Sequence, residues 1–306
     1  MQEQIKEIIS HYMQNKTGIL SVGWIDFNHY ESFYYCPNLI MPTASVYKVF
    51  ILSDLARGIY EGKRSWQDRI VLRKQDQSVG SGILSYMTAG ISMTLMDYAR
   101  LMMMISDNTA ADILFHLCGR ESIQEHILQP CGLLQTQCNI SCRDMIERYY
   151  ECVPREDELS QSYFRRCTKC LNKTPYFLGL GKGNNVTTAK DMTSFLKQLY
   201  KGNVVNSTVS SKILSIMKLC QTNTRIPRYL PHNVSVAHKT GTMDRIANDV
   251  GIVYTACGDY ALSLFYNGNS ASKQEYACNE QCMLSDQLLA NLSRDIYKAF
   301  ISHYNA

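Results

Sequence analysis

Residues 41–50 read MPTASVYKVF, and the spacing of Ser45 and Lys48 within them sets the problem that the rest of the chain answers. Three residues apart at the start of a helix, the two side chains fall on one helical face about one turn apart. A hydroxyl nucleophile therefore stands beside an amine. Pro42 and Thr43 favour a helix opening, and Val46, Val49, Phe50, Leu52 and Leu55 recur at helical spacing, which sends the opposite side of that helix into a core. A serine hydroxyl is a weak nucleophile, and the amine takes its proton only while it is itself neutral; the positive helix end and a second cation nearby would keep it so. The spacing alone decides little, because Ser270 and Lys273 repeat it in the polar run NGNSASK, which reads as a solvated turn.

Two further motifs give the pair its meaning. Ser106-Asp107-Asn108 follows the apolar, helix-like run Leu95 to Ile105, and Lys239-Thr240-Gly241 lies in SVAHKTGT, which reads as a strand. With Ser-x-x-Lys first, the three occur in the order of a known catalytic signature. On these residues the chain resembles the penicillin-recognising serine hydrolases, and the class A β-lactamase type in particular. The segments GSGILSYMTAGISMTLMDYARLMMMISDNTAADILFHLCG and RIPRYLPHNVSVAHKTGTMDRIANDVGIVY are similar to that family over their full length.

The chain order supports an α+β fold. The amino-terminal stretch MQEQIKEIISHYMQNKTG has helical spacing at Ile5, Ile8, Ile9 and Tyr12; Gly18 to Phe27 and Ser32 to Cys36 form a hairpin about Asn28-His29. Helical patterns then run over Thr94–Ile105, Thr109–Leu117, Glu121–Leu128, Thr187–Tyr200 and Ser207–Leu219. Strands return at Val234–His238, Asp249–Ala256 and Tyr260–Tyr266, and a helix over Met283–Tyr304 closes the sequence. This order predicts an antiparallel sheet flanked by the N- and C-terminal helices, with an inserted all-α lobe: residues 1–65 and 221–306 form the sheet lobe and 66–220 the helical lobe. The resemblance implies the same architecture, with the site between the lobes.

With 306 residues, an apolar fraction of 45% and a net charge of +4, the chain is an ordinary globular protein with room for two lobes. No run of Lys or Arg exceeds two, so no nucleic-acid partner is expected, and the apolar runs are too short for a membrane span. The first helix is acidic and lacks an apolar signal core; if Met1 is the natural start a cytoplasmic location follows, and an extracytoplasmic one if a signal has been removed. A monomer is expected, without cofactor. The stretch 139–185 is polar, without a strong period, and rich in cysteine. Of the chain's twelve cysteines, Cys138, Cys142, Cys167 and Cys170 have spacings that would suit zinc, but no histidine reinforces them and free thiols are the preferred reading.

The resemblance assigns roles. Ser45 attacks a carbonyl, Lys48 takes its proton, and Ser106 passes a proton to the leaving nitrogen. Backbone N–H groups of Ser45 and Thr242 face the oxyanion. Lys239 lowers the pKa of Ser106 and Lys48, Asn108 meets a substrate amide, Thr240 and Arg225 meet a substrate carboxylate, and Gly241 lets substrate lie close to the strand. Ser106 and Asn108 would equally serve as caps for the helix that follows them. His238 falls on the opposite face from Lys239 and reads as a packed histidine. The family deacylates with a glutamate in a Glu-x-x-Leu-Asn pattern. Here Glu156-Asp157-Glu158-Leu159 continues with Ser160, and Glu147 stands nearer but without the pattern, so both glutamates are candidates and the base stays unassigned. Three functions follow: a β-lactam hydrolase with slow deacylation, a hydrolase of another amide or ester such as a D-alanyl-D-alanine peptide, or a sensor acylated by β-lactams.

Overall fold

Strand β1 (Ile19–Asp26) is buried at every residue but its first, because both faces of the sheet that contains it are covered. The computed structural model describes residues 1–14, 18–167, 183–243, 245–268 and 278–304. Alternate residues of β1 divide between two cores, as the period of two requires. Leu20, Val22 and Trp24 meet Ile5 and Ile9 of helix α1 (Gln2–Met13) and Leu289, Leu292, Ile296 and Phe300 of the terminal helix α10 (Cys278–Tyr304). Ile25 joins the opposite core with Phe50, Phe195, Val250, Ile252 and Phe265. The sheet has five strands in the order β2-β1-β9-β8-β7, antiparallel throughout, with β2 at Ser32–Tyr35, β7 at Ser235–Met243, β8 at Ile246–Thr255 and β9 at Gly258–Asn267. Strand β7 is therefore an outer strand.

Helix α2 (Lys48–Tyr60) is buried from Lys48 through Gly58, so it is a central helix rather than one with a single buried stripe. Helices α3 (Leu95–Met104), α4 (Asn108–Cys118) and α9 (Ser207–Met217) pack around it, and α8 (Ala189–Tyr200) lies against β1 and β9. Its buried charge is matched: Arg57 donates to Asp54 at 2.8 Å and to Ser122 at 3.0 Å. Two short pairings link the helical part, β3 (Met41–Pro42) with β6 (Val186–Thr187) and β4 (Arg69–Val71) with β5 (Ser92–Thr94).

Four local expectations change. The run Glu121–Leu128 is a short helix α5 (Arg120–Ile123) continued by a wider π turn, Gln124–Leu128. The stretch read as irregular holds helices α6 (Cys142–Tyr150) and α7 (Ser160–Cys167). Ser141 and Asp144 close a capping box at α6, and only a few apolar positions, Ile146, Tyr163 and Cys167 among them, pack together with Val79. Helices of this length with so few buried positions leave no readable period. Strand β7 continues past His238 to Met243, carrying Lys239-Thr240-Gly241 inside a ladder that runs from Ser235↔Tyr254 to Met243↔Ile246. Helix α10 begins at Cys278, before Met283. The Ser270 and Lys273 pair and Cys170 lie outside the described residues. No helix among the described residues is long and apolar enough to cross a membrane.

Phe300 ties α10 to the sheet, its ring 6.2 Å from Trp24 and 4.9 Å from Tyr260, fully buried. Phe300→Ala is expected to cost about 3–5 kcal/mol in urea unfolding with an unchanged m-value. A loss below about 1 kcal/mol would mean that α10 does not hold the sheet through this ring.

Candidate active site

Ser45 sits on a 3₁₀ turn, Ala44–Tyr47, that leads into α2 at Lys48. Ala44 has φ 45°, in the left-handed region that costs about 1–2 kcal/mol for a residue with a side chain, so the surroundings must hold this turn in place. They do so from three distant segments. Thr43 donates its N–H to Asn185 O at 3.0 Å and its hydroxyl to the same oxygen at 3.1 Å. The Asn248 amide donates to Pro42 O at 2.8 Å and Thr43 O at 3.1 Å. From the third side comes β7: a Cβ added at Gly241 would stand 2.4 Å from Thr43 O and 3.1 Å from Val46 Cγ2. The missing side chain of Gly241 thus admits the nucleophile turn, where the sequence suggested that it admits substrate.

Lys48 is fully buried, and its ammonium donates to Ser106 O at 2.7 Å, Asn108 Oδ1 at 2.8 Å and Ser106 Oγ at 3.2 Å. Lys239, also fully buried, donates to Ser106 Oγ at 3.0 Å and to Thr240 O at 2.8 Å. One hydroxyl therefore bridges two amines. Burial first, and then the charge of Lys48, pull Lys239 down to about 7. Ser106 has φ 58°, a second left-handed residue, and the following Asp107 pins the turn. Asp107 Oδ1 accepts from Ala110 N at 2.9 Å as the cap of α4, and Oδ2 accepts from Ile83 N at 2.7 Å and Leu84 N at 3.0 Å. Capping is thus the work of Asp107, and Ser106 and Asn108 are left to face the lysines. Asn108 also donates from Nδ2 to Val79 O at 2.9 Å, so only part of its amide remains for a ligand.

Arg225 is buried, and its fork is turned onto the protein. Nε donates to Asp286 at 2.7 Å, Nη1 to Gly241 O at 2.9 Å and Asn248 O at 2.6 Å, and Nη2 to Thr242 Oγ1 at 2.6 Å. It braces the end of β7 and fixes Thr242. Along β7, Lys239 and Gly241 share the face toward the Ser45 turn, while His238, Thr240 and Thr242 alternate with them. His238 is buried and hydrogen-bonded to Asp249 at 2.9 Å.

Neither candidate glutamate joins this group. Glu147 and Glu156 line a separate hollow of about 310 Å³ with Lys74, Arg143 and Asp157, and burial raises the Glu147 carboxyl. Cys142 of α6 is fully buried, 3.1 Å from the Tyr47 hydroxyl, and held as a neutral thiol, burial chiefly pushing it up to about 12 while the charge of Lys48 acts to lower it. Asp112, one turn beyond Asn108, fixes Cys142 there: its carboxylate accepts from Cys142 N at 2.6 Å, Arg143 N at 3.0 Å and Ser78 Oγ at 2.6 Å. Among the described residues no group of three or more His, Cys, Asp or Glu side chains is placed to hold a metal. Asn185, Asn248 and Asp112 escaped the sequence reading, and Cys142 entered it only for its spacing from Cys138; the one signal for Asp112 was that it falls four residues after Asn108 on the same helical face.

Comparison with known proteins bears on the family and the fold. The family model described as the Beta-lactamase enzyme family matches residues 1–300. Beta-lactamase BRO-1 of Moraxella catarrhalis is 20% identical over 300 residues, covering 97% of this chain and 84% of that protein. Among solved structures, a β-lactamase from Sphaerobacter thermophilus superposes with TM-score 0.77 at 21% identity, covering 98% of each chain. The L158E mutant of PBP-A, in an acyl-enzyme complex with penicillin G, superposes with TM-score 0.76 at 21% identity, covering 98% of this chain and 97% of that one.

Two measurements follow. Gly241→Ala should slow modification of Ser45 by about tenfold or more and lower stability by about 1–3 kcal/mol, because the new Cβ drives the nucleophile turn off β7. Unchanged labelling with a fluorescent penicillin would contradict that packing. Lys239 is charged below about pH 7 and neutral above it. Attraction for a substrate carboxylate is therefore present at low pH and fades as pH rises through about 7. The acylation constant kcat/KM should fall in that range for carboxylate substrates and not for their esters; parallel profiles for both would remove Lys239 from carboxylate binding.

Proposed function

Since the chain belongs to the β-lactamase enzyme family, matching it over residues 1–300, we propose that it is a serine hydrolase that opens β-lactam amides through an acyl-Ser45 intermediate and releases the acyl group slowly. The observation that carries this reading is the convergence of Lys48 and Lys239 on the Ser106 hydroxyl beside the strained turn of Ser45. Ser45 Oγ attacks the carbonyl carbon and its proton passes to Lys48 in the neutral state. The N–H groups of Ser45 and Thr242 stabilise the oxyanion. Ser106 hands a proton to the ring nitrogen as the C–N bond breaks and is resupplied from the lysines. The product is an ester on Ser45. Lys239 receives the carboxylate.

Hydrolysis of that ester needs a base to activate water. The hydrogen-bond partners of Lys48 Nζ are Ser106 and Asn108, with no carboxylate hydrogen-bonded to it among the described residues. A neutral thiol does not draw a proton from water, and the Asp112 oxygens are taken up by two backbone N–H groups and a hydroxyl. This supports slow release, and it applies equally if the natural substrate is a peptide-like amide. The acyl-enzyme described for the PBP-A mutant is of the same kind as the intermediate proposed here.

Ser45→Ala should abolish covalent labelling by a β-lactam while leaving the fold intact; persistent labelling at the same rate would remove Ser45 as nucleophile. Mixing the protein with a chromogenic cephalosporin should give a burst of about one equivalent followed by release about 10²–10⁴-fold slower, with the acyl adduct visible by intact mass. Glu147→Gln and Glu156→Gln should not change release, and Cys142→Glu should accelerate it. A linear time course without trapped adduct would defeat the slow-release reading.

A further inference from the structure

The end of α2 farthest from Ser45 borders a hollow of about 420 Å³ that the reaction above does not use. Lys48 opens that helix and Ile59 and Tyr60 close it, so the hollow lies about 16 Å along the helix axis from Lys48. Its apolar lining is Ala56, Ile59 and Tyr60 from α2, Trp66 from the segment that follows, and Val209 from α9. Lys212 of α9 supplies the only charge in the lining among the described residues, and the other lining groups are serines and a threonine. Tyr60 is 58% exposed and Trp66 is half-buried, so two aromatic side chains keep surface open to water in one place.

We propose that this hollow binds a small aromatic carboxylate, its ring against Trp66 and Tyr60 and its carboxylate on the Lys212 ammonium. Lys212 is half-buried, and its Nζ lies 5.5 Å from the centre of the Trp66 ring. No Asp or Glu forms an ion pair with it among the described residues. A ring face replaces only part of the hydration that burial removes from an ammonium, so an anion from solution would complete the pairing. The carboxylates closest in sequence are already engaged. Glu61 follows Tyr60 but is bound by Arg57 at 2.6 Å and Lys63 at 2.8 Å, and Asp68 accepts from Ser65 N at 2.8 Å. The charge of the surrounding segment favours an anion as well: residues 189–218, which hold α8 and α9, carry five lysines against one aspartate, the whole net charge of +4. That aspartate, Asp191, is turned to Gln135 N and Thr136 Oγ1, each at 2.9 Å. The size suits a small molecule, since mostly apolar hollows of roughly 300–1,000 Å³ with a few placed polar groups take such ligands, whereas a protein partner needs a far wider surface. The site does not depend on the chemistry assigned to Ser45.

The test is titration of the whole nitrogen-15-labelled protein with sodium 2-naphthoate, read on the indole N–H resonances of its two tryptophans. The Trp66 signal should shift and saturate, while that of Trp24, fully buried in the sheet core, stays in place. Lys212→Met keeps the apolar stem and removes the charge, and it should weaken binding by about tenfold or more. The uncharged naphthyl alcohol should bind the wild-type protein as weakly as the acid binds that variant. A Trp66 signal that stays in place at millimolar naphthoate, or that shifts without saturating, overturns the proposal. Equal binding of acid and alcohol overturns it too, because the hollow would then accept any apolar ring. That comparison is made on the wild-type protein and decides by itself if Lys212→Met does not fold.

Discussion

Two buried ammonium groups share one serine hydroxyl, and the arrangement of this molecule follows from making that tolerable. An ammonium taken out of water without partners costs several kcal/mol, and a second one nearby adds repulsion. Lys48 is supplied with Ser106 O and Asn108 Oδ1, and Lys239 with Thr240 O, all neutral oxygens that accept a hydrogen bond without neutralising charge. The remaining repulsion is relieved at Lys239, which lets go of its proton near neutral pH. A site built with carboxylate partners would have kept both amines charged.

The same constraint explains the strained backbone. For Ser106 to offer its carbonyl to Lys48 and its hydroxyl to both lysines, the chain must turn between α3 and α4 in a left-handed conformation, φ 58°. Asp107 repays that cost with three hydrogen bonds to backbone N–H groups. Ala44 presents the parallel case, fixed from residues 185, 241 and 248. Its supports come from segments far apart in sequence, so the nucleophile turn acquires its final geometry only when β6, β7 and β8 are in place.

This distribution also explains which parts could be read from the sequence. Ser45 with Lys48, and Ser106 with Asn108, are local spacings, and a resemblance in three short motifs was enough to assign the sheet, the helical insertion and the convergence of the lysines. The terminal helices and β1 were legible because their apolar residues recur at a fixed period. Asn185 and Asn248 were not, since an asparagine that braces a turn about 140 or 200 residues away leaves no local mark. Arg225 was misjudged in a related way: its spacing from Lys239 is real, but Asp286, Gly241, Asn248 and Thr242 take its donors, and no sequence pattern announces such partners. Helices α6 and α7 were missed because their buried faces are small.

Asp112 shows why the presence of a carboxylate near a serine does not by itself make a base. It lies one helical turn beyond Asn108, is buried, and has its carboxyl raised, chiefly by that burial, a combination that elsewhere would suggest proton transfer. Its oxygens, however, close the start of α6 and hold Ser78, so protonating it or turning it toward the ester would release Cys142 and the 78–80 segment together. A group cannot both clamp a helix end and shuttle a proton without the clamp opening at each turnover. The Asp112 carboxylate is thus committed to structure, and the buried Cys142 whose N–H it holds turns its thiol to the Tyr47 hydroxyl. On the proposed reading, attack on a substrate carbonyl has Ser45, Lys48 and Ser106 in place, while among the described residues no carboxylate is hydrogen-bonded to Lys48 to serve the attack of water on the resulting ester.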